Sequence, residues 1–220
     1  MNGPDPREKH PMAGFPQVCF IKNTVKNPNI VIGDYTYYDD PDDSENFERL
    51  VLYHYPFVGD KLILGKFCAL ARGVRFIMNG ANHKMSGLST FPFSIFGNGW
   101  EKVQPAMADL PMRGDTVVGN DVWIGYEALI MPGVRIGNGA IVASRSTVVK
   151  AIPPYEIWGG NPAVKLRSRF APEEVARLEA IAWWDWPIAA VTEHLPLIVG
   201  GDLDALQAVS DKIRPTGRGT

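Results

Sequence analysis

Branched aliphatic residues recur every six positions along the second half of the chain: Val118, Ile124, Ile130, Ile136, Val142 and Val148. Four residues after each comes a smaller partner (Val122, Ala128, Val134, Ala140, Ser146, Ile152), and glycine often follows the aliphatic, as at Gly119, Gly125 and Gly137. Neither a helix nor a flat strand has this period. It is a sign of a parallel β-helix, a solenoid in which each flat face uses one repeat and three repeats close a triangular coil. Upstream, Val58, Leu64, Leu70 and Phe76 are again six apart, with Leu62, Cys68 and Val74 as second inward positions, so residues 58–76 are predicted to add one coil. Ile32 and Tyr38, with Thr36 between them, predict a partial first coil.

Two stretches break the period. Residues 39–49, DDPDDSENFER, are acidic and turn-rich and read as a solvated loop. Residues 77–116 contain NGANHKMSGLSTFPFSIFGNGWEK and no hexad. A long excursion that carries aromatic, amide and imidazole groups together is expected to be functional rather than disordered.

After Val148 the repeat stops at Ala151-Ile152-Pro153-Pro154, and Trp158-Gly159-Gly160-Asn161-Pro162-Ala163 predicts a tight turn. Ala171-Pro172-Glu173-Glu174 opens a helix, with proline in the first turn and carboxylates at the positive end. Val175, Leu178, Ile181 and Ala182 give it one apolar stripe, suited to cover an open coil end. Trp183, Trp184 and Trp186 are expected to hold it there. A second short helix is predicted from Asp202 to Ile213, and the tail RPTGRGT is expected to fray. The organisation is thus a coil domain over residues 1–168 and a helical extension over 169–220.

Composition narrows the function classes. The chain has 220 residues, is 45% hydrophobic, and has a formal charge of −2, which argues against broad nucleic-acid binding and for a small-molecule partner. No run approaches the roughly 20 apolar residues of a membrane span. Cys19 and Cys68 are isolated, and the first residues lack the apolar core of a signal peptide, so a cytoplasmic setting is expected.

Of the four histidines, His10, His54, His83 and His194, no pair has usable metal-ligand spacing, so no metal is expected. A γ-class carbonic anhydrase, which needs three converging histidines, is disfavoured on that ground. His83, in Asn79-Gly80-Ala81-Asn82-His83, is flanked by groups able to fix an imidazole tautomer, and a loop on a rigid coil is where a general base belongs. The bland alternative is an exposed or structurally bonded ring. His54, in Tyr53-His54-Tyr55-Pro56, reads as structural or pocket-lining.

The segments NGANHKM, FPFSIFGNGWEK, GDTVVGNDVWIGYEALIMPGVRIGNGAIVASRSTVV and GGNPA together resemble the xenobiotic acetyltransferases of the hexapeptide-repeat superfamily. YTYYD and LYHYPFVGDKLILGKFCALARGV are similar, more particularly, to the streptogramin A (virginiamycin) acetyltransferases. The likeness spans roughly residues 15–190, in order, and departs at no motif position. It implies a mainly β, left-handed parallel β-helix with an extended excursion loop and a small C-terminal helical segment. It also implies a homotrimer with active sites between subunits, acetyl-CoA as co-substrate, and His83 as general base.

A hydroxyl attacks a thioester usefully only if its proton leaves during attack, which a neutral imidazole can accept. Both substrates can meet in one cleft, so neither cysteine is needed as a nucleophile. For acetyl-CoA, the resemblance offers Gly125, Ala143, Ser144, Gly160, Asn161 and Lys165, with Lys165 able to meet phosphate; coil packing alone explains small residues there too. Trp123 sits at an outward position that core packing does not explain, and reads as a substrate or pantetheine wall. Tyr37, Tyr55, Leu110 and Pro111 look like the acceptor lining of the streptogramin branch, although the two tyrosines could instead be outward residues covered at a subunit contact. The implied reaction is O-acetylation of a streptogramin A antibiotic. Chloramphenicol, or a sugar or serine hydroxyl, is the alternative acceptor, and a non-catalytic binding or assembly β-helix the alternative class.

Overall fold

The structure is a computed structural model that describes residues 3–213, so the tail at 214–220 lies outside the described residues. A short strand, β1 (Val18–Phe20), precedes the first coil, which is made of β2 (Ile30–Ile32), β3 (Tyr37–Asp39) and β4 (Val51–Leu52). The second coil is β5 (Leu62–Leu64), β6 (Ala69–Leu70) and β7 (Arg75–Ile77), and the third is β8 (Thr116–Val118), β9 (Trp123–Ile124) and β10 (Leu129–Ile130). The fourth is β11 (Arg135–Ile136), β12 (Ile141–Val142) and β13 (Thr147–Val148); β14 (Glu156–Gly160) and β15 (Ala163–Ser168) follow.

Strands pair with those one coil away, in parallel, to give three faces. The first is β2-β5-β8-β11, the third is β4-β7-β10-β13, and the second is β1-β3-β6-β9-β12-β14-β15. The second face is the longest because β14 adds a fifth parallel strand and β1 and β15 join its two ends antiparallel. All six aliphatics from Val118 to Val148 and all six of their partners are buried, and they stack in register, Ile32 on Leu64 on Val118 on Ile136. Alternation in each strand sends the residue before each aliphatic outward.

The corner between the first and second faces shows why small residues recur. A Cβ on Gly33 would lie 2.4 Å from the carbonyl carbon of Gly65, and one on Gly65 would lie 2.5 Å from the Gly119 carbonyl oxygen. These glycines are required by close backbone approach. Side chains on this corner also bond from coil to coil: Asn120 Oδ1 accepts the Lys66 N–H (2.8 Å), and Asn138 Oδ1 accepts the Asn120 N–H (2.7 Å).

Several expectations are corrected. Val58 is not an inward rung: it lies in the loop before β5, and Val51, paired with Phe76, fills the place one coil earlier. The six-residue count fails there because the chain inserts a loop at the corner. The acidic segment is only partly solvated, since Asp40, Ser44 and Phe47 are buried. Phe47 inserts between the rings of Tyr38 and Phe76, and Asp40 accepts the Tyr38 hydroxyl (2.8 Å) and pairs with Arg49 (3.2 Å). The turn Trp158–Ala163 is the tip of the β14–β15 hairpin.

The helices are α1 (Pro172–Ile181), α2 (Ile188–Gly200) and α3 (Leu203–Ile213). In α1, Glu174 reaches back to accept the Ala171 N–H (2.8 Å), completing the start predicted from the acidic first turn. The helix α2 was not predicted; it contains Pro196, which reads as a breaker in sequence. The helices do not close a coil end. Helix α1 and the short turn Trp183–Asp185 after it lie along the corner between the first and second faces, where Trp183 meets Phe67 (5.0 Å), Lys66 pairs with Asp185 (3.0 Å) and Asn138 donates to Glu179 (3.1 Å), and α3 packs on α1 and α2. The coil ends of the second face are met instead by β1 and β15.

Asp121 stands on this covered corner, with a left-handed φ of 55°. Burial raises its carboxyl to about 6, against the pull of Arg169 at 3.9 Å. The folded value lies above the unfolded one of about 3.9, so the protonated form stabilises the fold and that stabilisation is lost as pH rises through about 6. Asp121→Asn is therefore expected to raise the urea midpoint at pH 7.5, with the gain fading toward pH 4; asparagine also accepts the left-handed backbone. A gain independent of pH would contradict this assignment. Gly65→Ala should destabilise the coil by about 1–3 kcal/mol, read as a lower urea midpoint.

Candidate functional site

The excursion leaves the third face after β7 and rejoins the first at β8, so its stem stands at the corner opposite the second face. Its outgoing side begins with a short 3-10 turn, Asn79–Ala81. Asn79 is buried and donates through Nδ2 to Asp60 Oδ2 and to the Gly114 carbonyl, both at 2.8 Å. Asn82 Nδ2 donates to the Pro111 carbonyl (3.0 Å). The two sides of the stem are thereby joined. Gly80 fits because nothing larger could: a Cβ there would lie 2.2 Å from the Tyr53 carbonyl oxygen and 2.5 Å from the Tyr55 ring.

His83 follows this stem, and its ring is exposed. Its Nδ1 lies 2.8 Å from the Thr90 carbonyl oxygen. A carbonyl can only accept, so Nδ1 carries the hydrogen and the neutral ring presents its lone pair on Nε2. That is the tautomer a general base needs. Thr90 gives no sequence signal, because the bond is to its backbone. His54 differs in role: its Nε2 donates to the Asp60 carbonyl (2.8 Å) and its Nδ1 accepts from Asn27 (3.4 Å), which makes it structural.

Beyond His83 the excursion carries an aromatic cluster. Phe91 stacks on Phe96 (5.2 Å) and meets Phe93 (4.7 Å), which meets Trp100 (5.3 Å). These rings, with Met85, Leu88 and Ile95, are exposed in the single chain. An apolar patch this continuous marks a surface that meets a partner or ligand.

The predicted site residues fall into two groups. Tyr55, Leu110 and Pro111 belong with His83: Tyr55 stacks on Phe57 (5.4 Å) beside Gly80, while Leu110 and Pro111 form the returning stem. Tyr37 and Trp123 lie across the coil on the second face, in one outward row with Ala69 between them. Trp123 is 55% exposed, so its indole is not core.

The acetyl-CoA candidates also lie on or beside the second face. Ser144, Gly160, Asn161 and Lys165 are exposed, and Ala143 is half-buried. Gly125 is explained by packing, because a Cβ would meet the Ser144 nitrogen at 2.7 Å. Lys165 is engaged by Glu156 (2.5 Å), so a phosphate would have to compete for it. Both cysteines are buried, and burial pushes each thiol up to about 11, leaving little thiolate at neutral pH.

The family described as "Bacterial transferase hexapeptide (six repeats)" matches residues 115–150. A probable macrolide acetyltransferase of Lysinibacillus sphaericus is 53% identical over 160 residues, covering 73% of this chain and 89% of that protein. A virginiamycin A acetyltransferase of Staphylococcus aureus is 48% identical over 206 residues, covering 94% and 93%. A chloramphenicol acetyltransferase of Agrobacterium fabrum is 43% identical over 188 residues, covering 84% and 90%. With a three-faced parallel coil, a repeat match across its third and fourth turns, and relatives this similar over most of their length, the chain is an enzyme of the hexapeptide-repeat acetyltransferase family.

Proposed function

We propose that this acetyltransferase transfers the acetyl group of acetyl-CoA to a hydroxyl of a streptogramin A antibiotic of the virginiamycin M type, with His83 as general base. The observation that carries the mechanism is the exposed His83 ring, held through Nδ1 by the Thr90 carbonyl so that Nε2 keeps its lone pair. The acceptor class is supported by the virginiamycin A acetyltransferase relative, similar over 94% of this chain. The macrocycle would need a mixed apolar and aromatic surface, which Tyr37, Tyr55, Leu110 and Pro111 supply.

The donor supplies its acetyl group as an activated thioester. His83 Nε2 takes the acceptor's hydroxyl proton as the new O–C bond forms and the C–S bond breaks, and returns that proton to the departing thiolate. The Thr90 carbonyl stabilises the ring while it is positively charged. No acyl-enzyme is needed, consistent with the buried, protonated cysteines. Trp123, Ala143, Ser144, Gly160, Asn161 and Lys165 are the residues that would hold the donor.

One geometric fact bears on assembly. The His83 stem and the Tyr37–Trp123 row lie on opposite sides of one coil, so a site that uses both has to be shared by two chains. The exposed aromatic cluster on the excursion is suited to cover such a contact. We therefore read the enzyme as a cytoplasmic homotrimer of left-handed coils with active sites between subunits. Among the described residues, no helix is long and apolar enough to cross a membrane. A second acceptor, chloramphenicol, is favoured by the relatives named for it.

His83→Ala should lower turnover by about 10²–10⁴-fold, measured as thiol release from acetyl-CoA with virginiamycin M; an unchanged rate would remove His83 from the chemistry. Turnover of chloramphenicol without turnover of virginiamycin M would move the assignment to the second acceptor. Trp123→Ala should leave the urea midpoint nearly unchanged, because the indole is exposed, while raising a substrate KM by roughly tenfold. Unaltered KM values for both substrates would take Trp123 out of the site.

A further inference from the structure

The knot that joins the two sides of the excursion stem is built more tightly than closing a loop requires. Asn79 is 1% exposed, and its side-chain amide uses its whole hydrogen-bonding capacity. Nδ2 donates to Asp60 Oδ2 and to the Gly114 carbonyl, and Oδ1 accepts from the Arg113 N–H (2.8 Å) and from Asn82 Nδ2 (3.2 Å). The Asn79 backbone N–H also donates to Asp60 Oδ2 (2.9 Å). One amide therefore touches the loop before the second coil, the residue before His83, and the returning side of the stem.

Asp60 is the second half of the device. It is 6% exposed, and it turns a single oxygen to both Asn79 donors. Its other oxygen has no hydrogen-bond partner among the described residues. A buried carboxylate with an unused oxygen is costly, so the geometry at Asn79 is being held at the expense of stability. Its own carbonyl is fixed in turn by His54 Nε2. Beyond the bonds of Asn79 and the Asn82–Pro111 bond, Lys84 and Asp109 also link the two sides, but as an exposed ion pair, of the kind that holds little.

From this network we infer that Asn79, set by Asp60, is the positioning residue for His83. It fixes the stem at both sides and, through Asn82, the point from which the backbone presents the imidazole to Thr90. This rests on His83 being the general base. The role differs from ordinary loop support, because it predicts a change in the state of one ring rather than a general loosening.

The test uses the full-length chain and two variants. Asn79→Ala should lower kcat with acetyl-CoA and virginiamycin M by roughly 10²-fold, while the KM for acetyl-CoA changes less than about twofold, because the residues proposed to hold the donor are on or beside the second face and none belongs to the stem. Nitrogen-15 NMR of the histidine side chains, with His83 assigned by its loss in His83→Ala, should show one tautomer bearing hydrogen on Nδ1 in the parent and a mixture in Asn79→Ala. Asn82→Ala, which leaves the Asp60 bonds in place, is the variant to use if Asn79→Ala does not fold; it should give a smaller kcat loss and the same tautomer mixing. A variant that keeps the single tautomer and the parent kcat would overturn the inference. If His83→Ala retains full activity while the tautomer still loosens in Asn79→Ala, the positioning stands and the base assignment falls.

Discussion

Everything outside the coil hangs on a backbone that stacks on itself at about 4.8 Å per turn. The hydrogen bonds between coils are ordinary parallel-sheet bonds, but they close only if nothing intervenes at the corners. At the corner between the first and second faces this leaves no room for a Cβ at Gly33, Gly65 or Gly119. Once the corners are that tight, the interior is one residue deep. The core is then a column of aliphatics, each resting on its equivalents one turn above and below. Flat faces follow, and with them straight outward rows such as Tyr37, Ala69 and Trp123.

A stack of this kind has two liabilities, and the chain meets each locally. Strand edges at the coil ends would template further pairing; β1 and β15 add antiparallel at the two ends of the longest face. A corner turned by residues with left-handed φ, such as Phe67 and Asp121, exposes large or charged side chains beside tight backbone. Helix α1 and the turn that follows it cover that corner, with Glu179 on Asn138 and Trp183 on Phe67, and Arg169, just before α1, stands near Asp121. The cover is imperfect in a specific way: the Tyr155 hydroxyl is buried there without a hydrogen-bond partner among the described residues.

The parts of the fold that obey the period were legible because inward positions in a β-helix tolerate so few side chains. Every residue from Val118 to Ile152 assigned inward is inward. Legibility failed where the chain leaves the period. Val58 matched by count alone, since an inserted loop resets the register without marking it. The acidic segment hid Asp40 because a buried carboxylate paired with arginines looks, in sequence, like a solvated one. Helix α1 was expected on a coil end, since its stripe says that something is covered and not what. For the site, the imidazole was visible, but Thr90 acts through its backbone, and Asp60, although it lies in a segment shared with the streptogramin branch, does not show in sequence that it meets Asn79.

The excursion also has a meaning for how such a chain can change. After β7 the backbone departs for 38 residues and re-enters at β8, where Thr116 pairs with Leu62 as though the third coil had followed the second directly. The ladder therefore keeps no record of what was inserted between them. Length and composition beyond the stem are free to vary while every coil bond is preserved, so selection can rewrite the arm that carries His83 without refolding the wall that supports it.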